Sequence, residues 1–245
     1  MTVYIYDGSF DGFLCCIHVC LQNAGDIELI TCKPQEQSSL FSEEVFVEYD
    51  RDVLKEYIGL IDVRLPKTAR KHIYYVFLSS APEREMVIWK YIQFGFTVGK
   101  FLDRHITDDW VRQVHLLSRK VGCEAHRMHG FVRFSRLKEG MYYARISPDH
   151  NVLPLIGKHF AERLPDQRFM IHDVSRNLAL LYDTRRWFIT DMELHYNPHE
   201  SNDEAYYKSL WKQYFESIAI KERANDKLQR QFVPLRYRKY MTEMQ

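Results

Sequence analysis

No run of apolar residues in this chain approaches the roughly 18 that a membrane helix needs, so no membrane-spanning segment and no membrane partner are expected. The opening Met1-Thr-Val-Tyr-Ile-Tyr-Asp-Gly8 lacks the basic region, apolar stretch and cleavage site of a secretory signal. The expected location is therefore cytoplasmic. Low-complexity tracts, internal repeats and Gly/Ser linkers are missing too. Cysteine is scarce: Cys15, Cys16, Cys20, Cys32 and Cys123 make an odd number, three of them in one short segment. That pattern fits reduced thiols better than a disulfide framework, and the spacing matches neither zinc nor common iron–sulfur patterns. The turn Tyr6-Asp-Gly-Ser-Phe-Asp-Gly12 has no Walker lysine and no dinucleotide fingerprint, and its two aspartates would repel phosphate. A tight turn with a helix cap is the expected reading.

What is present is a chain of 245 residues, 46% hydrophobic, long enough to bury a full core in one large or two small domains. A net charge of +1 conceals segregation. Residues 1–60 carry three basic and eleven acidic side chains, and residues 112–138 carry seven basic and one acidic, with His115, His126 and His129. The last 25 residues carry seven basic and three acidic groups, with Phe232, Tyr237 and Tyr240 interleaved. Cations beside flat aromatic faces suit a nucleic-acid backbone and its bases.

Periodicity gives the elements. Val3 to Tyr6 reads as a strand, and Ser9 caps a helix with Phe10, Phe13, Leu14, Ile17 and Leu21 inward, ending at Gly25. Val45–Tyr49 reads as a strand, with a helix from about Asp52. Helices are expected over 68–79, over 82–98 and from Thr107, the last with Trp110, Val111, Val114, Leu117 and Val121 inward. Gly130–Leu137 and Met141–Ile146 read as a β-hairpin, Asn151–Leu164 as a helix, and 168–173, 177–183 and 187–190 as a meander. Ser201-Asn-Asp-Glu204 has the form of a capping box ahead of the stripe Tyr207, Leu210, Trp211, Tyr214, Phe215 and Ile218. A last helix from Glu222 places Ala224, Leu228 and Phe232 inward and Arg223, Lys227 and Arg230 outward, and Pro234 stops it. The expected fold is a single α+β domain over 1–245. Residues 1–128 are mainly helical, residues 129–190 hold an antiparallel sheet in ββαβββ order, and residues 200–245 are helical again.

Several groups carry possible chemistry. Cys123, His126 and His129 have the ligand types of a zinc site but not its spacing. A basic contact surface with Arg112, Arg119, Arg127, Arg133 and Arg136 is the stronger reading, so neither metal nor cofactor is expected. His126, Asp149, His150 and Asp173 are the candidates for acid–base catalysis, but none pairs with an activated nucleophile. In the tail, Arg223, Lys227, Arg230, Arg236 and Tyr237 are the candidate nucleic-acid contacts.

Tyr6-Asp-Gly-Ser-Phe-Asp-Gly-Phe-Leu-Cys15, His126-Arg-Met-His-Gly-Phe-Val-Arg-Phe134, Ser147-Pro-Asp-His-Asn-Val-Leu-Pro-Leu-Ile-Gly-Lys-His-Phe160 and Glu222-Arg-Ala-Asn-Asp-Lys-Leu-Gln-Arg-Gln-Phe-Val-Pro-Leu-Arg-Tyr237 together resemble a bacterial family assigned to DNA metabolism or repair. That family is a domain of unknown function, found beside a radical-SAM protein assigned to DNA repair and fused in some bacteria to a uracil-DNA-glycosylase-like domain. The resemblance implies DNA and that radical-SAM protein as partners. Arg238 departs from it, standing where tryptophan is common. No CxxxCxxC occurs, so this chain would accompany radical-SAM chemistry rather than carry it. The leading expectation is a DNA-contacting repair accessory, with the acidic N-terminal quarter facing a protein partner. The alternatives are an enzyme on nucleobases or nucleic acid, and a non-catalytic interaction scaffold.

Overall fold

A computed structural model describes residues 2–23, 26–33, 42–192 and 199–245. Among them the chain forms two compact units, Met1–Val121 and Gly122–Gln245, each described by itself.

In the first unit, β1 (Thr2–Ile5) lies between β2 (Ile27–Thr31) and β3 (Glu43–Phe46), parallel to both. After β1 the chain turns at Gly8, whose φ of +85° suits glycine. Ser9 then caps α1 (Phe10–Gln22): its Oγ donates to Asp7 Oδ1 and accepts the Gly12 N–H at 2.9 Å. A Cβ at Gly12 would meet Asp7 Oδ1 at 2.1 Å, so the two glycines and Asp7 build a turn and a cap. The helix buries Phe13, Leu14 and Ile17, as its spacing predicts, together with Cys15, Cys16 and Cys20. The expected stop at Gly25 lies outside the described residues. Helices α2 (Arg51–Arg64), α3 (Ala69–Phe77) and α4 (Arg84–Val98) follow, and a 3-10 turn (Gly99–Arg104) leads toward α5 (Asp109–Phe131). Asp108 rather than Thr107 caps α5, accepting the Trp110 and Val111 N–H groups. Val111, Val114 and Val121 are buried, whereas Trp110 is exposed.

The second unit holds a five-stranded sheet in the order β4 (Ser135–Arg136), β5 (Tyr142–Ile146), β6 (Phe169–Asp173), β7 (Leu178–Tyr182), β8 (Trp187–Asp191). With α6 (Leu153–Arg163) between β5 and β6, the ββαβββ order is as expected, but the sheet is mixed. Strands β5 and β6 run parallel because α6 carries the chain back along the sheet before β6 begins. The meander β6–β7–β8 is antiparallel. The expected strand Gly130–Leu137 is largely absent. Helix α5 continues through Phe131, with Met128 and the following Val132 buried, and only Ser135 and Arg136 pair with β5. The core joins Val152, just before α6, and Leu153, Ile156 and Phe160 of α6 to Ile146, Phe169, Ile171, Leu180 and Tyr182 of the sheet. Each large apolar side chain buried there contributes about 1.5–3 kcal/mol. Gly157 lets α6 approach closely: a Cβ would stand 2.8 Å from Leu180 Cδ1 and 2.9 Å from Trp187 Cδ2.

Helices α7 (Glu204–Ile218), α8 (Asp226–Phe232) and α9 (Leu235–Arg238) complete the unit. The capping box does not form, because the buried Glu204 carboxylate instead accepts the Arg136 N–H at 2.8 Å. The apolar stripe of α7 is exposed at Tyr207, Leu210, Trp211, Tyr214 and Ile218, and Leu228 and Phe232 of α8, expected to face inward, are exposed too. No helix among the described residues is long and apolar enough to cross a membrane.

Candidate nucleic-acid interface

The second unit contains two adjacent clefts. The larger, about 670 Å³, is floored by Phe134 and Phe160 and walled by Arg133, His159, Arg163 and Trp211. The smaller, about 260 Å³, adds Arg145, Lys239 and Tyr240. Arg133, Lys208 and Thr242 line both, so the two form one track. Five Lys/Arg and two histidines line it against two carboxylates, and Glu204 is already committed to the Arg136 N–H.

These groups come from distant regions of the sequence. Arg133 follows the end of α5, and the turn Thr242–Met244 brings Glu243 beneath it. Glu243 accepts from Arg133 Nη2 at 2.6 Å and Nε at 3.1 Å, and from Trp211 Nε1 at 2.9 Å. The guanidinium also lies 5.5 Å from the Trp211 ring centre. The clamp therefore fixes both a cation and an indole face. Tyr206, Tyr207, Trp211 and Tyr214 of α7 present rings to solvent, with Tyr207 61% and Trp211 39% exposed. Lys208 bonds Glu200, while Arg163 forms no ion pair among the described residues.

Inside the larger cleft, the His129 and His159 rings stack 4.0 Å apart at 15°. His129 Nε2 is buried and lacks a hydrogen-bond partner. Burial, then the neighbouring His159 and His126, hold the His129 pKa below its ordinary value. The His129 imidazole is therefore held neutral, with its Nε2 buried in the cleft wall.

Burial would raise the Glu243 carboxyl, but hydrogen bonds from Arg133 and Trp211 outweigh it and hold the pKa below the ordinary 4.5. A depressed pKa stabilises the fold above the unfolded value, and that contribution is lost as pH falls through the folded value. Acidification below 4.5 is therefore expected to open the clamp, read as a Trp211 emission change with a midpoint under 4.5. Glu243→Gln should abolish that transition. A midpoint at or above the ordinary glutamate value would contradict this account of the clamp.

The residues expected from sequence are divided. Arg133 lines the track, and Arg136 stands exposed beside it on β4. Arg127, Arg223, Lys227 and Arg230 are exposed in the same unit, whereas Arg112 and Arg119 are exposed in the first unit, Arg112 paired with Asp109. Arg236 bonds Asp149 at 2.7 Å. Tyr237 is corrected: only 5% exposed, it packs on Phe131 and donates to buried Glu124, so its ring is not offered to a base. Burial and Glu124 push its pKa up to about 12. Sequence reasoning missed Arg145, His159, Arg163, Lys208 and Lys239, which share no local spacing.

The catalytic candidates surround a different feature. Glu124 accepts the Asp149 and His150 N–H groups, each at 2.8 Å. Arg176 donates to Asp173 at 2.8 Å, to the Pro148 carbonyl at 3.1 Å and to the Asp149 carbonyl. Asp173 is fully buried, and burial raises its pKa despite Arg176. This network holds the loop after β5, while His126 stands apart on the exposed face of α5. Cys123 and His126 are exposed, and with His129 they do not bring ligand atoms together. Among the described residues the group that does is His72, Asp103 and His115 in the first unit.

A family model described as a domain of unknown function, DUF4130, matches residues 82–243, two-thirds of the chain and nearly all of the second unit. No curated protein and no solved structure matches the chain. With the mixed sheet, the track and its clamp all falling inside the matched stretch, the chain belongs to the DUF4130 family.

Proposed function

We propose that the second unit binds unpaired DNA along the cationic track and α7, as an accessory in DNA repair. The observation that carries this reading is the pair of clefts sharing Arg133, Lys208 and Thr242, flanked by the exposed rings of α7. Guanidinium and ammonium groups neutralise phosphates, and aromatic faces take bases without regard to sequence. The rings are open to solvent, which a base already out of a duplex can reach. The resemblance to repair-associated sequences favours DNA over RNA and names a radical-SAM protein as companion.

Labelled single-stranded, duplex and RNA oligonucleotides titrated across salt provide the test. Single-stranded DNA should bind tightest, with log K falling by about 0.7 per log salt for each phosphate contacted. Arg163→Ala should reduce the slope by about that amount. No binding to any DNA form at low salt would end the proposal, and tighter binding to RNA would change its substrate.

A second reading has its own support. Ile218, Ile220, Leu228, Phe232 and Leu235 are exposed apolar side chains around α8, a composition suited to a protein partner. Co-purification with the companion and no DNA affinity would favour that scaffold role.

A further inference from the structure

We propose that His72, Asp103 and His115 form a binding site for a divalent transition-metal ion, Zn²⁺ or Fe²⁺, in the first unit. The proposal is independent of the DNA reading, since none of the three belongs to the second unit. Three elements converge here. His72 comes from α3, Asp103 from the 3-10 turn after α4, and His115 from α5. One ligand atom from each lies within 4.8 Å of the other two.

The distances around Asp103 Oδ1 have the scale of a coordination shell. His115 Nε2 lies 3.0 Å from it and His72 Nδ1 3.5 Å. Bonds of about 2.0–2.1 Å in a tetrahedron give ligand–ligand edges of about 3.3 Å. A cation placed among the three atoms therefore requires little rearrangement. His72 Nδ1 is buried and makes no well-aligned hydrogen bond, its nearest partner being Asp103 Oδ1 at 3.5 Å.

The carboxylate is also held as metal-binding carboxylates are. Tyr91 donates to Oδ1 at 2.7 Å and Thr68 donates to Oδ2, fixing the group from outside the ligand set. Two imidazoles and one carboxylate suit Zn²⁺ or Fe²⁺ better than Ca²⁺ or Mg²⁺. All three side chains are partly open to solvent, so three ligands leave a position for water, as catalytic rather than structural sites do. Asp103 and His115 lie inside the family match, and His72 lies outside it.

The test uses the full chain stripped with a chelator, loaded with Zn²⁺ or Co²⁺ and desalted. One equivalent should remain, and Co²⁺ should give visible d–d bands without the near-ultraviolet charge transfer of a thiolate ligand. Retention should be lost in His72→Ala and in His115→Ala, each checked for native helical content. Thr68→Val should loosen binding by about 10–100-fold. Failure of the wild-type chain to retain an equivalent would overturn the site, leaving a hydrogen-bonded network only. A thiolate charge-transfer band, or retention surviving both histidine replacements, would overturn it equally by placing the ion elsewhere. The cobalt spectrum needs no variant, so the proposal stays testable if a replacement fails to fold.

Discussion

Arg176→Ala is expected to destabilise the second unit by about 3–5 kcal/mol, the usual cost of stranding a buried charge. Asp173, 0% exposed at the end of β6, would keep only the Ser175 N–H among the donors outside its own sequence neighbour Arg176. The Pro148 and Asp149 carbonyls would lose their guanidinium as well, freeing the loop that presents Asp149 to Arg236. The pH dependence has a definite sign. Burial raises the folded pKa of Asp173, so its contribution is present below the unfolded value and lost as pH rises through the folded value. Removing Arg176 raises that pKa further, so the deficit should be largest near neutrality and shrink toward pH 4. Adding Asp173→Asn should recover some of the loss, because the stranded group is then neutral. Urea unfolding of the three chains measures all of this. A loss under about 1 kcal/mol, or no recovery in the double variant, would show that Arg176 does not hold the loop.

Tyr207→Ala and Trp211→Ala should each weaken single-stranded DNA binding by about 1–3 kcal/mol, a factor of roughly 5–150, if a base stacks on each ring. Trp211 needs a control, because its indole N–H also bonds Glu243 and its ring faces Arg133. Trp211→Phe keeps a stacking face and loses only the hydrogen bond, so its affinity should stay within about threefold of wild type if stacking carries the effect. Equal losses for Phe and Ala would assign the effect to the clamp. Salt slopes separate the two kinds of contact: removing a ring lowers affinity at constant slope, whereas removing Arg163 changes the slope.

The regular elements of the second unit are legible in the sequence because their patterns are long and mutually consistent. Phe169–Asp173 and Leu178–Tyr182 are short, largely apolar runs bounded by turn residues, Trp187–Asp191 alternates, and α6 repeats at helical spacing. Strand direction is not legible, since such runs serve either pairing, and only the returning α6 makes β5 and β6 parallel. Met128-His-Gly-Phe-Val132 is ambiguous by nature: the apolar residues fit either period, and Met128 is buried within α5 while Val132, just past its end, still bonds the Met128 carbonyl. In the first unit, Ile27–Thr31 escapes notice as a strand, and its partner β1 is short as well.

The candidate sites divide similarly. Arg133 stands out in a basic run, but Arg163, Lys208 and Lys239 join it only through tertiary packing. Tyr237 looks like a stacking residue because of the cations around it. Its place is set by Glu124, 113 residues away, which no local pattern records. His72, Asp103 and His115 are equally invisible, being single residues on three separate elements.

The bonds from Tyr237 to Glu124 and from Glu243 to Arg133 span 113 and 110 residues, nearly the whole second unit. Closing so long a loop forfeits chain entropy before any contact repays it, so such links form late and slow the approach to the native state. During synthesis, Glu124 and Arg133 lack these two bonds until residues 237–243 have been made. The clamp that shapes the track thus closes only once the far end of the second unit is in place.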